Sequence, residues 1–130
     1  MSDLFQSFST ATSGMEAQAR RLRHVSENIA NADTPGYRRK TIDFRAELDR
    51  TTGASRVVTG PVQLDPRELP RVYDPGHSLA DETGFYLGST VDLMIEIADA
   101  REANRSYEAN LRVFDQTRQM AQGLLDLLRR

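Results

Sequence analysis

Apolar residues recur at heptad spacing at both ends of the chain, and this pattern constrains the fold more than any other feature of the sequence. In the N-terminal segment the apolar residues are three or four positions apart, with one polar interruption at Gln18. Such spacing places an apolar stripe along one helix face and is typical of coiled coils. It predicts a helix over about residues 3–32, with a packing stripe formed by Leu4, Phe8, Ala11, Met15, Leu22, Val25 and Ile29.

The C-terminal segment carries a longer stripe of the same kind. Residues 90–128 contain no Pro, and Gly123 is their only Gly. The pattern predicts a single helix about 58 Å long, at about 1.5 Å per residue. Two polar residues fall on this stripe, and an Asn there, Asn104, is predicted to fix the register of the helix pair at some cost in stability. The stripe consists of Leu93, Ile97, Ala100, Asn104, Tyr107, Leu111, Phe114, Arg118, Ala121, Leu125 and Leu128.

Turn-forming residues are concentrated in the middle of the chain, which holds all five Pro when Pro35 is included. Pro35 disfavours a helical Thr34, and Pro followed by Gly36 favours a turn, so the first helix is predicted to end here. Short runs with β-strand character lie between the later turns, at residues 41–44, 56–58, 62–64, 71–73 and 84–87. These runs predict either a small, irregular β structure or a largely extended loop.

The two stripes together predict a mostly α fold. The simplest arrangement pairs the terminal helices as an antiparallel coiled coil, and the middle segment projects from it as an irregular or short-β insertion. The predicted divisions are residues 1–36 for the first helix and its turn, 37–89 for the insertion and 90–130 for the second helix. The longer second helix would overhang the first, and its unpaired surface would need another subunit.

Composition and motifs exclude several classes of function. The net charge of −2 offers no general attraction to nucleic acid, and no run of about 20 apolar residues could span a membrane. His24 and His77 have no metal-ligand spacing, and no nucleophile elbow, phosphate loop or dinucleotide motif is present. The chain is therefore predicted to be a non-enzyme without cofactor or metal, and it lacks the charged and apolar regions of a cleavable signal peptide.

Residues 28–37, NIANADTPGY, form the most specific motif in the sequence. Residues 13–18, 84–87, 91–93 and 104–110 carry further matching pieces, among them the run NRSYEAN within the second helix. Together these segments resemble the family of flagellar rod, hook and hook-associated proteins. The resemblance covers both ends of the chain and implies that the signature turn is formed by Asn28, Ala30, Asn31, Thr34, Pro35, Gly36 and Tyr37.

The resemblance implies a structural role in the proximal rod of the bacterial flagellar basal body and leaves two short rod proteins open. In this family, subunits stack helically with copies of themselves and with other rod proteins into a tube that crosses the periplasm. The tube is part of the drive shaft and of the export channel. Its subunits leave the cell through the flagellar type III export apparatus, which would explain the lack of a cleavable signal peptide.

The residues predicted to carry packing and assembly lie mainly on the two apolar stripes. They are Met15, Leu22, Val25, Ile29, Ile97, Asn104, Tyr107, Asn110, Leu111 and Phe114. The heptads alone would equally support a soluble helical adaptor or chaperone-like protein that binds a partner helix and does not polymerise. The motif at residues 28–37 favours the rod subunit.

Overall fold

Two long helices dominate the computed structural model, which describes residues 2–130; Met1, where the first predicted segment begins, lies outside it. Helix α1 spans Ser2–Ala30 and helix α2 spans Leu93–Leu128. Asp92 caps α2, because its carboxylate accepts a hydrogen bond of 3.0 Å from the backbone N–H of Met94. The strands between the helices are β1 (Lys40–Thr41), β2 (Phe44–Leu48), β3 (Ser55–Thr59), β4 (Gln63–Leu64), β5 (Arg71–Tyr73) and β6 (Phe85–Leu87).

The two helices pack side by side in opposite directions. Near the start of α1, the ring of Phe8 meets the ring of Phe114 edge to face, with centroids 5.1 Å apart. Near its end, the side chain of Asn28 contacts Glu96 at the start of α2. Later residues of α1 therefore contact earlier residues of α2, so the helices are antiparallel. This confirms the predicted mostly α fold with an antiparallel helix pair.

The buried face of this pair differs from the predicted stripes by one residue at several positions on both helices. In α2 the stripe positions of Ala100, Tyr107 and Phe114 do face α1, but Glu96, Ala103 and Thr117 are buried where the pattern placed Ile97, Asn104 and Arg118. In α1 the same displacement buries Gly14 and Asn28 instead of Met15 and Ile29. Gly14 and Ala103 let the helix axes approach closely at two of these positions, and the bulkier apolar side chains are left on one flank.

The hypothesis that Asn104 occupies a core position is wrong for the single chain, because Asn104 is exposed. Its neighbour Ala103 is fully buried in its place. The Asn that meets the other helix is Asn110, which lies against Gly14: a Cβ placed on Gly14 would be 2.7–2.8 Å from three side-chain atoms of Asn110. The close approach of α1 requires a residue without a side chain at this point.

The middle segment is a small β structure, so the alternative of a largely extended loop is wrong. Its strands form three separate antiparallel pairs, β1 with β4, β2 with β3, and β5 with β6. The β2–β3 hairpin also lies along α1 and does not project freely. The backbone N–H of Val57 donates to Ser13 Oγ at 2.9 Å, and Thr10 Oγ1 donates to the carbonyl of Ser55 at 2.5 Å.

The end of α2 extends beyond its partner. Because Phe114 lies opposite Phe8, the first residue of α1 lies beside about residue 120 of α2. Among residues 2–130, no helix lies beside the last turns of α2. Within residues 2–130 no helix is long and apolar enough to cross a membrane. The apolar side chains left exposed at this end are Met120, Leu124, Leu125, Leu127 and Leu128.

Candidate functional site

The signature turn ends α1 through hydrogen bonds of its own residues. The side-chain Nδ2 of Asn31 donates to the backbone carbonyl of Glu27 at 2.8 Å. This bond satisfies one of the carbonyl groups in the last turn of the helix. Thr34 Oγ1 donates to Asn31 Oδ1 at 3.0 Å, and the backbone N–H of Thr34 donates to the carbonyl of Asn31 at 3.0 Å. Gly36 then adopts a φ of 75°, which favours glycine and redirects the chain.

The same turn is bonded to the segment that precedes α2. The backbone N–H of Gly36 lies 3.2 Å from the carbonyl oxygens of both Leu87 and Gly88. One residue later, the carbonyl of Tyr37 accepts from the backbone N–H of Thr90 at 3.1 Å. The exit of α1 and the entry of α2 are thus held together by the backbone, independently of the helix–helix contact.

Asn28 lies at the centre of the site, with only 1% of its surface exposed. Its Oδ1 accepts hydrogen bonds from the Tyr37 hydroxyl and from the backbone N–H of Lys40, each at 2.9 Å. Its Nδ2 donates to the carbonyl of Lys40 at 2.9 Å and to Glu96 Oε2 at 3.3 Å. One amide therefore joins α1, the signature turn, β1 and α2, and both of its polar atoms are satisfied.

An ion-pair network centred on the buried Glu96 continues from Asn28 into α2. The Glu96 side chain is fully buried and is paired with the guanidinium of Arg39, which also binds the carboxylate of Asp99. Arg21 of α1 reaches Asp99 at 3.3 Å and Glu102 at 3.5 Å. Removing one partner from such a network would leave a buried charge unpaired, so the network selects one arrangement of the helices and β1.

Three ionisable groups at the edge of the site have shifted pKa values. The hydrogen bond from Lys40, at 3.1 Å, lowers the pKa of Glu27, and the same contact raises the pKa of Lys40. Burial raises the pKa of the Tyr37 hydroxyl above its usual range. Each shift favours the protonation state found near neutral pH, in which Tyr37 donates to Asn28 and Lys40 pairs with Glu27.

The structure brings together most of the residues predicted for the signature turn. Asn28, Asn31, Thr34, Gly36 and Tyr37 all take part in the hydrogen bonds described above. Ala30 is exposed, and Pro35 is half-buried within the turn. Their part in function stays a prediction.

The residues predicted for packing and assembly fall into two groups. The residues of the first group are buried or half-buried in the single chain: Met15, Leu22, Val25, Tyr107, Asn110 and Phe114. Those on its surface are exposed: Ile29, Ile97, Asn104 and Leu111. The burial of the single chain separates the two groups, and a role in assembly stays a prediction for both.

The charged members of the network were not predicted from the sequence. Arg21, Arg39, Glu96 and Asp99 are separated along the chain, and nothing in their spacing pairs them. One indication was available: Glu96 interrupts the apolar run of Leu93, Met94, Ile95 and Ile97. A lone carboxylate in such a run indicates a buried charge with a partner.

No group of three or more His, Asp or Glu side chains within residues 2–130 could hold a metal ion. The ion pairs and hydrogen bonds of the site join segments of the chain to one another. Their geometry fixes the orientation of two helices and a turn, which is a structural task.

Comparison with known proteins matches both ends of the chain. The family model described as flagella basal body rod protein matches residues 8–38, and the one described as the C-terminal part of flagellar basal body rod proteins FlgEFG matches residues 82–127. The first match includes most of α1 and the signature turn, and the second includes β6 and nearly all of α2.

Whole-chain relatives give the same result. The flagellar basal-body rod protein FlgC of Agrobacterium fabrum is 49% identical over 126 residues, which cover 92% of this chain and 91% of the relative. FlgC of Salmonella typhimurium is 33% identical over 125 residues, covering 90% of this chain and 92% of the relative. The chain belongs to the family of flagellar basal-body rod proteins represented by FlgC. This family is structural, which confirms the prediction of a non-enzymatic structural protein.

Proposed function

We propose that this chain is a structural subunit of the proximal rod, which assembles helically with copies of itself and with other rod proteins. Membership of the rod family gives the location in the flagellar basal body and the structural role. The assembled tube would cross the periplasm and form part of the drive shaft and of the export channel. Copies would reach it through the flagellar type III export apparatus.

The observation that carries the proposal is the apolar surface that the single chain leaves uncovered on its helices. On the long helix α2, Ile97, Leu111 and Leu128 are 42%, 40% and 82% exposed. An exposed apolar surface of this extent marks a protein–protein contact. Contacts between different patches of identical subunits do not close and generate helical assemblies.

The division of the chain fits the same role. Segments 1–36 and 90–130 would form the inner, helical layer of the rod, because they carry most of the uncovered large apolar side chains. Segment 37–89 would face outward, because its strands form three small separate pairs and its β2–β3 hairpin covers only one side of α1.

The small core of the chain fits export in an unfolded state. Its buried apolar side chains are four alanines and one valine, and it has no cysteine to form a disulfide. Burial stabilises a fold by about 25 cal/mol per Å² of apolar surface, so small side chains contribute little. A chain that completes its packing only in the polymer would unfold readily for passage through a narrow channel.

The proposal is tested by cryo-electron microscopy of isolated basal bodies, in which density for this chain is sought in the proximal rod. We expect α1 and α2 in the inner tube and residues 37–89 outside them. A soluble helical adaptor would leave no such density and would purify as a small, well-folded oligomer. That result would overturn the proposed function.

A further inference from the structure

Five bulky apolar residues form one surface along the helix pair, which we name the open groove: Met15, Leu22, Ile29, Ile97 and Leu111. Each follows a residue that faces the partner helix, so it lies about 100° further round its own helix axis. In an antiparallel pair, the same step along both helices turns toward the same side of the pair. The five side chains therefore share one side, where three of them are exposed: Ile29, Ile97 and Leu111.

The β structure covers α1 from another direction and leaves the groove free. The hairpin is bonded to α1 through Ser13, which accepts from Val57, and through Arg20, which donates to Thr59 Oγ1 at 2.9 Å. Both residues lie on the flank of α1 away from Met15 and Leu22, by the same helical geometry. The helix pair thus has one covered flank and one apolar flank without a partner.

The end of α2, residues 119–128, is a second apolar surface without a partner. The face that packs against α1 runs through Phe114, Thr117 and Ala121, and the same spacing continues to Leu124 and Leu128. These two leucines are 46% and 82% exposed, because α1 does not extend beside them. The end of α2 therefore continues an established helix–helix interface into solvent.

We infer that the end of α2 from one copy docks in the open groove of the next copy, head to tail. Within residues 2–130, no helix covers the open groove and none lies beside the end of α2. Two copies of this chain can cover both surfaces, because each copy carries one groove and one helix end. The contact joins two different patches, so it leaves a free patch on each outer copy and extends into an open helical array. This inference rests on the proposed function only in that copies of the chain meet in the rod.

The dimensions of the two surfaces match. Ten residues of helix are about 15 Å long, and the groove from Met15 to Ile29 is about 21 Å long, at about 1.5 Å per residue. A stable pair in solution usually buries about 1,200–2,000 Å². A ten-residue helix end with four leucines offers less, so the contact should be weak between two free copies and effective when repeated along a rod.

Site-specific crosslinking in assembled rods tests the contact, because the chain has no cysteine of its own. Cells would express two variants together, one with Leu128→Cys and one with Ile97→Cys, and isolated basal bodies would be treated with a short thiol crosslinker. We expect a crosslinked dimer that contains one copy of each variant. Glu47→Cys on exposed β2 replaces Ile97→Cys as the control and should give no dimer.

The outcomes separate this inference from the proposed function. Motile cells whose rods contain both variants but give no dimer with cysteine at Ile97, Ile29 or Leu111 would overturn the docking and leave the rod role intact. A crosslink from Leu128→Cys to a different rod protein would overturn the choice of partner. Absence of the unmodified chain from basal bodies would instead refute the rod role.

If a cysteine variant fails to assemble, charge substitutions at the end of α2 test the same contact. Leu124→Asp and Leu128→Asp lie beyond the end of α1, so the purified variants should keep the helical circular dichroism of the parent chain. We expect their incorporation into rods to fall at least tenfold. Incorporation at the parental level would overturn the inference.

Discussion

Asn28 shows how a single side chain can define the junction of several segments. Its amide joins α1 to Tyr37, β1 and Glu96 at once, and it is buried with its hydrogen bonds satisfied. A buried donor or acceptor that loses its partner costs about 1–3 kcal/mol. The site therefore depends on the shape and polarity of an asparagine, and neither an apolar residue nor a carboxylate can replace it.

The first prediction concerns this residue. Asn28→Ala leaves the backbone groups of Lys40 and the Tyr37 hydroxyl without their partner, so we expect a loss of at least about 2 kcal/mol in the free energy of unfolding. Asn28→Asp should be no better, because it places a second carboxylate beside Glu96. Thermal unfolding of the purified chain, followed by circular dichroism, measures both changes.

Asn104 provides the matched control, because it is an asparagine of similar helical context that is exposed. Asn104→Ala should change the free energy of unfolding by no more than about 0.5 kcal/mol. Equal losses for Asn28→Ala and Asn104→Ala would contradict the central position of Asn28.

At the level of the helices, the contact between α1 and α2 is made largely by small residues. Ala11, Gly14 and Ala17 of α1 are buried, as is Ala103 of α2. Gly14 is the tightest point, where the side chain of Asn110 occupies the space that a Cβ would need. Asn110 is held there by its donated hydrogen bond of 3.0 Å to the carbonyl of Ser106. This contact is specific to one register, since sliding either helix would bring a side chain against Asn110.

The second prediction follows from that contact. Replacing Gly by Ala within a helix normally stabilises by up to about 1 kcal/mol. Gly123→Ala should show this gain, because nothing lies within 4 Å of its Cβ position. Gly14→Ala should show no gain or a net loss, since the new methyl group forces Asn110 or the helices apart. Thermal unfolding of the two variants gives the comparison.

A double variant checks the cause of the difference. In Gly14→Ala combined with Asn110→Ala, the methyl group has room, so the double variant should be more stable than the sum of the two single changes predicts. Additive effects of the two substitutions would count against a steric contact between these residues.

The whole molecule leaves a large share of its apolar helix surface uncovered, so we expect different residues to serve folding and assembly. The edge-to-face contact of Phe114 with Phe8 belongs to the single chain. Leu111, three residues earlier, is 40% exposed on the open groove. A rod subunit can in this way fold weakly on its own and gain its stability from neighbouring copies.

The third prediction separates the two tasks. Leu111→Asp should abolish motility while the purified chain keeps its helical content, because the charge lies at a surface that only assembly covers. Phe114→Asp should abolish motility and also destabilise the isolated chain, because it places a charge against Phe8. Swimming assays and circular dichroism on the same variants measure both effects. Normal motility with either variant would refute a role for these residues in the rod.

The heptad patterns and the turn residues were enough to predict the two helices, their antiparallel pairing and the end of α1 near Pro35. These features depend on local spacing and backbone preference, which are present in the sequence itself. The motif at residues 28–37 was likewise sufficient to indicate the family, because it is long and contiguous. The strands β3 to β6 were located to within one residue at either end, whereas a single run at residues 41–44 was predicted where the chain forms β1 and β2. The sequence did not decide between strands and an extended loop.

Only the tertiary structure decided which flank of each helix is buried. Counting apolar residues favours the bulkiest stripe, whereas close approach of two helices favours the smallest side chains, and Gly14 and Ala103 therefore replaced Met15 and Asn104 at the contact. The ion-pair network of Arg21, Arg39, Glu96 and Asp99 also could not be predicted from the sequence. Its members are far apart along the chain and meet only because the signature turn brings β1 against both helices, which is a property of the folded chain and not of any one segment.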